Sequence, residues 1–378
     1  MAKADRLPVL LLGAGKIGEM IAALLHHAGD YDLLVADRDA EALARVRDIV
    51  PVATRVIDAG DHGELLKAME GRFAVLSAMP YFLNPGIGAA AKEAGVHYLD
   101  LTEDVASTRA IKAMADGAKT AFIPQCGLAP GFISIVAYDM TKRFEDLHAV
   151  HMRVGALPKY PTNALKYNLT WSTDGLINEY CNPCEAVVGG KLKEVPPLEE
   201  VEHFSLDGVT YEAFNTSGGL GTLAETLAGR VQYLNYRTVR YPGHRDLVKM
   251  LLHDLRLAER RDLLKDIFEH AIPMTTQDVV LIFVTVSGHR EGRFLQESYA
   301  HKIYAEELFG RRWSAIQITT AAGITAVLDL LREGRIPDRS FVRQEDIALD
   351  AFLANRFGRF YARRPGSDAP RVESRLAG

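Results

Sequence analysis

The chain has 378 residues, of which 48% are hydrophobic and 25% are charged. This length favours two domains, and this balance excludes an intrinsically disordered protein. The 44 Lys and Arg against 49 Asp and Glu give a net charge of −5 without a long run of one sign, which argues against nucleic acid or an anionic membrane surface as the main partner.

No apolar stretch approaches the roughly 18–20 residues that a membrane span needs, and the N-terminus leads straight into a strand without a signal-peptide pattern. The chain has three cysteines, Cys126, Cys181 and Cys184. Cys181 and Cys184 have the spacing of a redox or metal pair, but no second pair completes a tetrahedral site, so a structural role is favoured. We expect a cytoplasmic protein without a bound metal.

Strands and helices alternate through the first third of the chain. Strands are predicted at 8–12, 32–37, 55–58, 73–77, 97–100 and 120–124, and helices at 19–27, 39–50, 64–69 and 86–94. This alternation is typical of a parallel, doubly wound sheet. The sequence therefore predicts an α/β fold that begins with a Rossmann domain over residues 1–131.

The pattern changes after residue 131 to longer, alternating strands, such as 151–155 and 278–286. A glycine- and charge-rich segment at 288–293 resembles a hairpin turn. This pattern predicts an α+β domain for substrate binding and dimerisation over 132–319, with a mixed, largely antiparallel sheet. Helices are predicted at 320–333 and 348–357, and a C-terminal segment of about 320–360 is placed back on the first domain. We expect a homodimer or a larger homo-oligomer.

The first strand ends in a glycine-rich turn that leads into a helix. In this pattern the first glycine permits a tight turn, the second lets the backbone approach a pyrophosphate, and the third lets the helix pack on the strand. The N-terminus of the helix then offers free N–H groups to the phosphates. The candidate cofactor-binding residues of this turn are Gly13, Gly15, Lys16, Ile17 and Gly18.

Asp37 ends the second strand, where a carboxylate accepts hydrogen bonds from the ribose hydroxyls and repels a 2′-phosphate. The neighbouring Arg38 could instead pair with such a phosphate or stack on the adenine. The position of Asp37 favours NAD as the cofactor.

Two later segments complete the predicted cofactor site. Asp58, after the third strand, either faces the adenine or caps the next helix. Ala78, Met79 and Pro80 follow the fourth strand, at the edge where a parallel sheet presents its loops to the nicotinamide ribose.

Several segments of the chain resemble the saccharopine dehydrogenase family, from Leu10 to about Phe360. They are the glycine turn, Ala78-Met79-Pro80-Tyr81, Gly127-Leu128-Ala129-Pro130-Gly131 and Tyr167-Asn168-Leu169-Thr170-Trp171-Ser172. Segments 211–219, 240–244, 278–286 and 319–323 resemble its lysine 6-dehydrogenase branch more closely. Lys166 stands where eukaryotic saccharopine enzymes carry an arginine, whose fork suits a second carboxylate better. This difference favours lysine itself as substrate.

The resemblance implies NAD-dependent oxidation of the ε-carbon of L-lysine to 2-aminoadipate 6-semialdehyde and ammonia, followed by cyclisation to piperideine-6-carboxylate. A first alternative is a saccharopine dehydrogenase, which oxidises a secondary amine to the same semialdehyde and releases glutamate. Further alternatives are a reductive polyamine synthase and a non-catalytic nucleotide-binding protein. The expected partner is a small amino acid, either L-lysine or saccharopine.

Oxidation of an amine needs an anchor for the amino acid and a base for proton transfer. Arg240 is the candidate anchor because its fork matches a carboxylate, although an interdomain salt bridge is the alternative. His244 follows a glycine turn in the same motif and is the first candidate for acid–base work, against a surface or core role. Tyr81 and Asp100 are the further catalytic candidates, because both follow Rossmann strands at the ligand-binding edge of the sheet, and either is the base if His244 is structural. Asp100 would either pair with the substrate ammonium or cap a helix.

Three further residues are predicted at the substrate site together with Lys166. Tyr167 and Trp171 would wall the aliphatic stem of the substrate, unless they belong to the core. Cys126 would line the cleft without reacting.

Overall fold

The computed structural model describes residues 6–362, which form two large sheets. The first sheet is wholly parallel and its order reverses beside its central strand, as in a doubly wound nucleotide-binding fold. From edge to edge its strands are β17 (Ser340–Phe341), β6 (Ala121–Ile123), β5 (His97–Asp100), β4 (Ala74–Ser77), β1 (Leu7–Leu12), β2 (Tyr31–Asp37) and β3 (Ala53–Val56). The predicted Rossmann sheet is confirmed.

Five helices connect the strands of the parallel sheet. They are α1 (Lys16–Ala28), α2 (Ala40–Ile49), α3 (His62–Met69), α4 (Asn84–Ala94) and α5 (Val105–Met114). Asp39, Asp61 and Asp104 cap α2, α3 and α5, each through a side-chain oxygen that accepts backbone N–H groups of the first turn. These caps set the helix starts after each strand.

The third strand lies two residues earlier than predicted. It ends at Val56, and the Asp58 carboxylate accepts a hydrogen bond from the backbone N–H of Gly60 at 2.9 Å. Asp58 therefore forms a turn, and the predicted alternative that it caps the next helix is wrong, because Asp61 does so.

The second sheet has eight strands and is mixed, as predicted. Only β7 and β12 run parallel, and every other pair is antiparallel. The strands are β7 (Asp146–Pro158), β8 (Cys184–Val188), β9 (Lys191–Val195), β10 (Glu202–Leu206), β11 (Val209–Asn215), β12 (Val231–Arg240), β13 (Asp278–Arg290) and β14 (Arg293–Tyr304). A separate hairpin pairs β15 (Glu306–Leu308) with β16 (Arg311–Trp313).

The predicted hairpin turn at 288–293 is shorter than expected, because β13 continues to Arg290. Gly288 lies at a bulge, where a Cβ atom would stand 2.0 Å from the carbonyl oxygen of Asp146. The glycine thus permits a close approach between strands and does not mark the turn.

Among residues 132–362, seven α-helices accompany the mixed sheet. They are α6 (Phe132–Thr141), α7 (Thr173–Cys181), α8 (Leu223–Leu227), α9 (His244–Lys249), α10 (Arg261–Ala271), α11 (Ala315–Arg332) and α12 (Leu349–Ala354). Helix α11 starts at Ala315, five residues before the predicted start, because Ser314 caps it in a capping box with Gln317. By length and composition α11 could cross a membrane, but 83% of it is buried inside the protein, which is the burial of a core helix.

The C-terminal segment returns to the parallel sheet. Helix α11 packs along α1, and β17 pairs with β6 at the sheet edge. Asp329 of α11 accepts a hydrogen bond from the hydroxyl of Tyr31 at 2.6 Å. One hydrophobic core contains Val9 of β1, Ile324 of α11 and Ile282 of β13, so both sheets share it through α11.

Candidate functional site

A cleft of about 740 Å³ is lined from both halves of the chain. One side consists of the loops after β1, β4 and β5, which is the edge where doubly wound sheets bind ligands. The other side comes from β7, β12, α7 and the residues just before α11. The lining residues that bear functional groups or special backbone are Gly15, Lys16, Met79, Tyr81, Glu103, Trp171, Glu179 and Arg240.

The glycine turn has the shape that a dinucleotide pyrophosphate needs. Gly13 has φ +103° and lies so close to β4 that a Cβ atom would stand 2.7 Å from the carbonyl oxygen of Ala78. At Gly18 a Cβ atom would be 1.9 Å from the carbonyl oxygen of Gly13. At Gly15, by contrast, no atom lies within 4 Å of an added Cβ, and no side chain caps α1. This open, uncapped helix start fits a bound phosphate.

Lys16, Ile17 and Gly18 also line the cleft, as predicted for the cofactor site. Lys16 is partly buried, and burial lowers the pKa of its ammonium group while Glu269 and Glu19 raise it. Its backbone carbonyl accepts a hydrogen bond from Gln317 at 3.0 Å, which ties the turn to α11.

Asp37 lies beside the glycine turn, outside the cleft lining. Its Oδ2 accepts the backbone N–H of Ala14 at 2.7 Å, and its Oδ1 accepts that of Asp39 at 2.9 Å. The carboxylate is thereby fixed at the end of β2, and each oxygen retains a second lone pair for a ribose hydroxyl. Arg38, directly after Asp37, and Asp58, in the turn after β3, are both exposed.

The segment after β4 forms part of the cleft wall. Ala78, Met79, Pro80 and Tyr81 all line the cleft. Tyr81 is partly buried, and burial and Asp104 raise the pKa of its hydroxyl. The segment therefore lies at the edge of the parallel sheet that faces the cleft, and its contact with a cofactor stays a prediction.

Arg240 ends β12 and reaches the cleft from the opposite side. The side chain is 3% exposed, and its guanidinium carbon lies 4.8 Å from the ring centre of Tyr167. Nε donates to the hydroxyl of Tyr180 at 2.9 Å and Nη1 donates to the carbonyl of Val239 at 2.9 Å. Arg240 is thus a fixed cation at the cleft, as its predicted role as a carboxylate anchor requires.

The expectation that His244 carries out proton transfer in the cleft is not supported by its position. His244 is 2% exposed and does not line the cleft. Its Nδ1 donates to the carbonyl of Leu165 at 2.7 Å, and its Nε2 lies 3.0 Å from the hydroxyl of Tyr180. Burial and Arg240 lower the pKa of His244 to about 3. The imidazole is therefore neutral, fully hydrogen-bonded and behind Arg240.

Asp100 is also misplaced by the prediction, because its carboxylate is completely buried below the cleft. Oδ2 accepts the hydroxyl of Tyr98 at 2.7 Å, and Oδ1 accepts the backbone N–H groups of Thr102 at 3.0 Å and Gln125 at 2.9 Å. Burial raises the pKa of Asp100 to about 6, against the effect of these three hydrogen bonds. Asp100 shapes the loop after β5 and has no free oxygen surface for a substrate ammonium.

Cys126 does not line the cleft either. It is 1% exposed, its Sγ donates to the carbonyl of Ile123 at 3.0 Å, and burial raises the pKa of its thiol. Lys166 is exposed and donates to the carbonyl of Pro242 at 2.9 Å, away from the cleft lining. Both predicted contacts with substrate are corrected on these grounds.

Of the two predicted aromatic walls, only Trp171 lines the cleft. Tyr167 is 1% exposed and lies behind it, where its hydroxyl accepts a hydrogen bond from Trp171 Nε1 at 3.2 Å. Tyr167 therefore supports both Trp171 and Arg240 and has no open surface for the substrate.

Two glutamates in the cleft were missed by the sequence interpretation. Glu103 lies in the loop after β5, and its Oε1 is buried without a hydrogen-bond partner among residues 6–362. Burial raises the pKa of Glu103 to about 7. In the sequence, Asp100 occupies the strand-end position, three residues before Glu103, and no pattern distinguishes Glu103 from other loop acids.

Glu179 lies on α7 and is 6% exposed, yet it lines the same cleft. Burial raises the pKa of Glu179 well above its ordinary value, Glu103 raises it further, and Arg240 acts in the opposite direction. The sequence did carry a signal for Glu179, because this acid falls on the buried face of the helix that follows Trp171 and Ser172. The cleft thus brings the buried Arg240 and Glu179 together with the partly buried Glu103. A further buried acid of the lining, Glu19, forms ion pairs with Arg45 and Arg311.

The remaining cysteines offer no ligand set. Burial raises the pKa values of Cys181 and Cys184, which keeps both thiols protonated near neutral pH. Within the described residues 6–362, no group of three or more His, Cys, Asp or Glu side chains could hold a metal ion.

Comparison with known proteins gives relatives in both sequence and fold. The mitochondrial alpha-aminoadipic semialdehyde synthase of Rattus norvegicus is 21% identical over 248 residues, which are 60% of this chain and 27% of that protein. The saccharopine dehydrogenase [NADP(+), L-glutamate-forming] of Schizosaccharomyces pombe is 21% identical over 258 residues, 65% of this chain and 57% of that protein. The chain therefore spans 27% to 57% of the length of these relatives.

Two solved structures share the fold over almost the whole chain. Apo saccharopine dehydrogenase (L-Glu forming) from Saccharomyces cerevisiae has a TM-score of 0.74 at 16% identity and covers 92% of this chain and 96% of its own. Homospermidine synthase from Legionella pneumophila in complex with NAD has a TM-score of 0.68 at 12% identity, with coverages of 97% and 94%.

Two sequence models of one family match consecutive parts of the chain. The model described as "Saccharopine dehydrogenase NADP binding domain" matches residues 9–123, which contain the glycine turn and strands β1 to β6. The model described as "Saccharopine dehydrogenase C-terminal domain" matches residues 127–357, which contain the mixed sheet, Arg240 and α11. The chain, with a pyridine-nucleotide-binding domain joined to this second domain, belongs to the saccharopine dehydrogenase family.

Proposed function

We propose that this protein oxidises the ε-carbon of L-lysine with NAD to give 2-aminoadipate 6-semialdehyde, which cyclises to piperideine-6-carboxylate, and ammonia. The carrying observation is that the buried guanidinium of Arg240 shares the cleft with the buried carboxyl group of Glu179 and the partly buried carboxyl group of Glu103. Lysine has one carboxylate for the guanidinium and two amino groups for the carboxyl groups. Membership of the saccharopine dehydrogenase family supports chemistry at a carbon–nitrogen bond.

The substrate is anchored by its charged ends. Arg240 binds the α-carboxylate, because a guanidinium fixed in a low-dielectric site binds carboxylates strongly and directionally. Trp171 contacts the aliphatic stem from the cleft wall. The reacting ε-carbon then points towards the edge of the parallel sheet, where Met79, Pro80 and Tyr81 line the cleft.

Glu103 is the base in this proposal, in the role first expected for His244. The ε-ammonium of lysine has an ordinary pKa of about 10.4 and must lose a proton before hydride leaves its carbon. Because burial raises the pKa of Glu103 to about 7, its carboxylate is a stronger base for that proton than an ordinary carboxylate is. Bound NAD supplies the hydride acceptor. Water then hydrolyses the substrate imine and releases ammonia.

The cofactor is proposed to be NAD. Gly15 and the uncapped start of α1 would hold the pyrophosphate, and the fixed carboxylate of Asp37 would accept the ribose hydroxyls and repel a 2′-phosphate. The exposed Arg38 is the residue that would accept a 2′-phosphate if NADP were used.

A second candidate is the oxidation of saccharopine to the same semialdehyde and glutamate. The Schizosaccharomyces and Saccharomyces relatives, both named as saccharopine dehydrogenases, favour it. The cationic side chains Lys16, Arg311 and Arg312 also line the cleft and could bind further carboxylates. A reductive polyamine synthase is favoured less, because a polyamine leaves Arg240 without a carboxylate partner.

A panel of substrates and cofactors tests the proposal. Reduction of NAD and of NADP would be followed with lysine, saccharopine and putrescine, and ammonia and glutamate would be assayed as products. Reduction of NAD by lysine with one ammonia per hydride would support the proposal. Reduction with saccharopine alone, and glutamate as product, would establish the second candidate instead.

A further inference from the structure

A chain of hydrogen bonds runs from the cleft into the core behind Arg240. Arg240 Nε donates to the hydroxyl of Tyr180 at 2.9 Å, and the same hydroxyl lies 3.0 Å from His244 Nε2. His244 Nδ1 lies 2.7 Å from the carbonyl oxygen of Leu165. Arg240, Tyr180 and His244 are at most 3% exposed, so water does not replace these partners.

The hydrogen bonds between Arg240, Tyr180, His244 and Leu165 can point in only one direction. A backbone carbonyl cannot donate, so His244 Nδ1 carries the hydrogen that Leu165 accepts. Neutral imidazole has a single N–H, so Nε2 is an acceptor and the Tyr180 hydroxyl donates to it. The lone pairs of that hydroxyl are then free for Arg240 Nε, which can only donate.

From this arrangement we propose that His244 is a positioning residue that acts through Tyr180 to orient the Arg240 guanidinium for the substrate carboxylate. This inference rests on the proposed function, in which Arg240 is the carboxylate anchor. Without an acceptor at residue 244, the Tyr180 hydroxyl would lose its fixed direction and Arg240 Nε its defined partner.

The surroundings of the guanidinium explain why its orientation matters. Nη1 is held by the carbonyl of Val239, and the rings of Tyr167 and Tyr180 lie 4.8 and 5.8 Å from the guanidinium carbon. Among residues 6–362, Nη2 makes no hydrogen bond and is the nitrogen that remains for a ligand. A rotation of the guanidinium about the Cδ–Nε bond would redirect Nη2 and weaken the directional binding of a carboxylate.

The experiment compares four single variants and one double variant on two substrates. His244→Phe and Tyr180→Phe each remove one of these hydrogen bonds, whereas His244→Gln keeps an acceptor at about the position of Nε2. Tyr241→Phe is the matched control, because Tyr241 follows Arg240 directly but donates to Pro158 at 2.9 Å and does not line the cleft. The substrates are lysine and 1,5-diaminopentane, which has the same amine and lacks the carboxylate.

His244→Phe and Tyr180→Phe should raise the KM for lysine roughly 10- to 100-fold, the effect of losing a charge-assisted contact. The kcat/KM for 1,5-diaminopentane should change far less, so the preference for lysine should shrink. His244→Gln should recover most of the preference, and Tyr241→Phe should retain it. The double variant H244F/Y180F should have a KM for lysine no higher than that of either single variant, because both substitutions interrupt the same series of hydrogen bonds.

Equal losses on both substrates would overturn the proposal, because they would indicate a purely structural role. The same conclusion would follow if His244→Gln were as impaired as His244→Phe. If His244→Phe does not fold, Tyr180→Phe alone decides between these outcomes. A wild-type protein that oxidised saccharopine but not lysine would contradict the proposed function but not the positioning role of His244. That role would then be tested by the KM for saccharopine in the same variants.

Discussion

The carbonyl oxygen of Glu103 lies directly against Gly218, so that a Cβ atom on residue 218 would stand 2.1 Å from it. Gly175 approaches the same glutamate from α7, where an added Cβ would be 3.0 Å from Oε1. Glu103 belongs to the parallel sheet's ligand-binding edge, whereas both glycines belong to the second half of the chain. Contacts between the two halves therefore fix the position of this carboxyl group.

Gly218→Ala should lower both stability and activity. Gly218 has φ +86°, which costs an alanine about 1–2 kcal/mol, and the clash with Glu103 adds to this. Gly229→Ala is the matched control, since its φ is +76° but nothing lies within 4 Å of the added Cβ. Urea unfolding and kcat would be measured for both. Equal losses of stability with unchanged kcat in both variants would contradict a role for Gly218 in placing Glu103.

Glu103→Gln should lower kcat by roughly 10²- to 10⁴-fold, the usual contribution of a general base. The wild-type rate should rise with pH through about 7, because the raised pKa leaves the carboxyl protonated below that pH. The variant should lose this limb of the profile. Glu194→Gln, at an exposed position of β9, is the control and should keep both rate and profile. A persisting limb near pH 7 in Glu103→Gln would assign the base to another residue.

Asp37→Ala should weaken NAD binding by about 1–3 kcal/mol, the loss expected for hydrogen bonds to a charged group. The affinity for NADP should fall less or increase, because the repulsion of a 2′-phosphate is removed. Dissociation constants for both nucleotides, obtained from quenching of protein fluorescence, test this. Asp48→Ala, on the exposed side of α2, should change neither. A wild-type preference for NADP that Arg38→Ala abolishes would make Arg38 the selecting residue.

His244 should make the protein less stable in acid. Burial lowers its pKa to about 3 from the ordinary 6.5, so between these values the unfolded chain binds more protons than the folded one. The stabilisation is complete above pH 6.5 and is lost as the pH falls towards 3, by about 1.4 kcal/mol per pH unit. The facing Arg240, Tyr167 and Tyr180 do not titrate in this range. His244→Gln should therefore show a shallower decline in unfolding free energy between pH 6.5 and 4.5, and parallel curves would contradict this.

The features of the site that follow from local backbone rules were predictable from the sequence. The glycine turn, the residues after β4 and the end of β12 occupy the cleft as expected, because strand ends and helix starts determine them. Side-chain positions that depend on the path of a turn could not be predicted from the sequence. Arg240 and His244 belong to one motif, but Gly243 with φ +96° turns the chain, and the imidazole comes to lie behind the guanidinium.

The same distinction applies to the acids. Asp100 was expected in the cleft as the last residue of β5, yet its side chain turns inward to hold the backbone of Thr102 and Gln125. The loop it shapes brings Glu103 to the cleft instead. Sequence spacing gave the sheet edge correctly, but the choice between two acids in one loop depends on contacts with Gly175 and Gly218 from distant parts of the chain.

The return of the C-terminal segment has a consequence for how this protein can fold during synthesis. Strand β6 obtains its outer neighbour only from Ser340 and Phe341, and α1 is covered by α11, which begins at Ala315. A nascent chain that has reached residue 131 therefore has an open sheet edge and an uncovered apolar helix. The nucleotide-binding half therefore completes its sheet edge and covers α1 only after the second half has been made. Because the two halves share these contacts, we expect them to unfold as one cooperative unit.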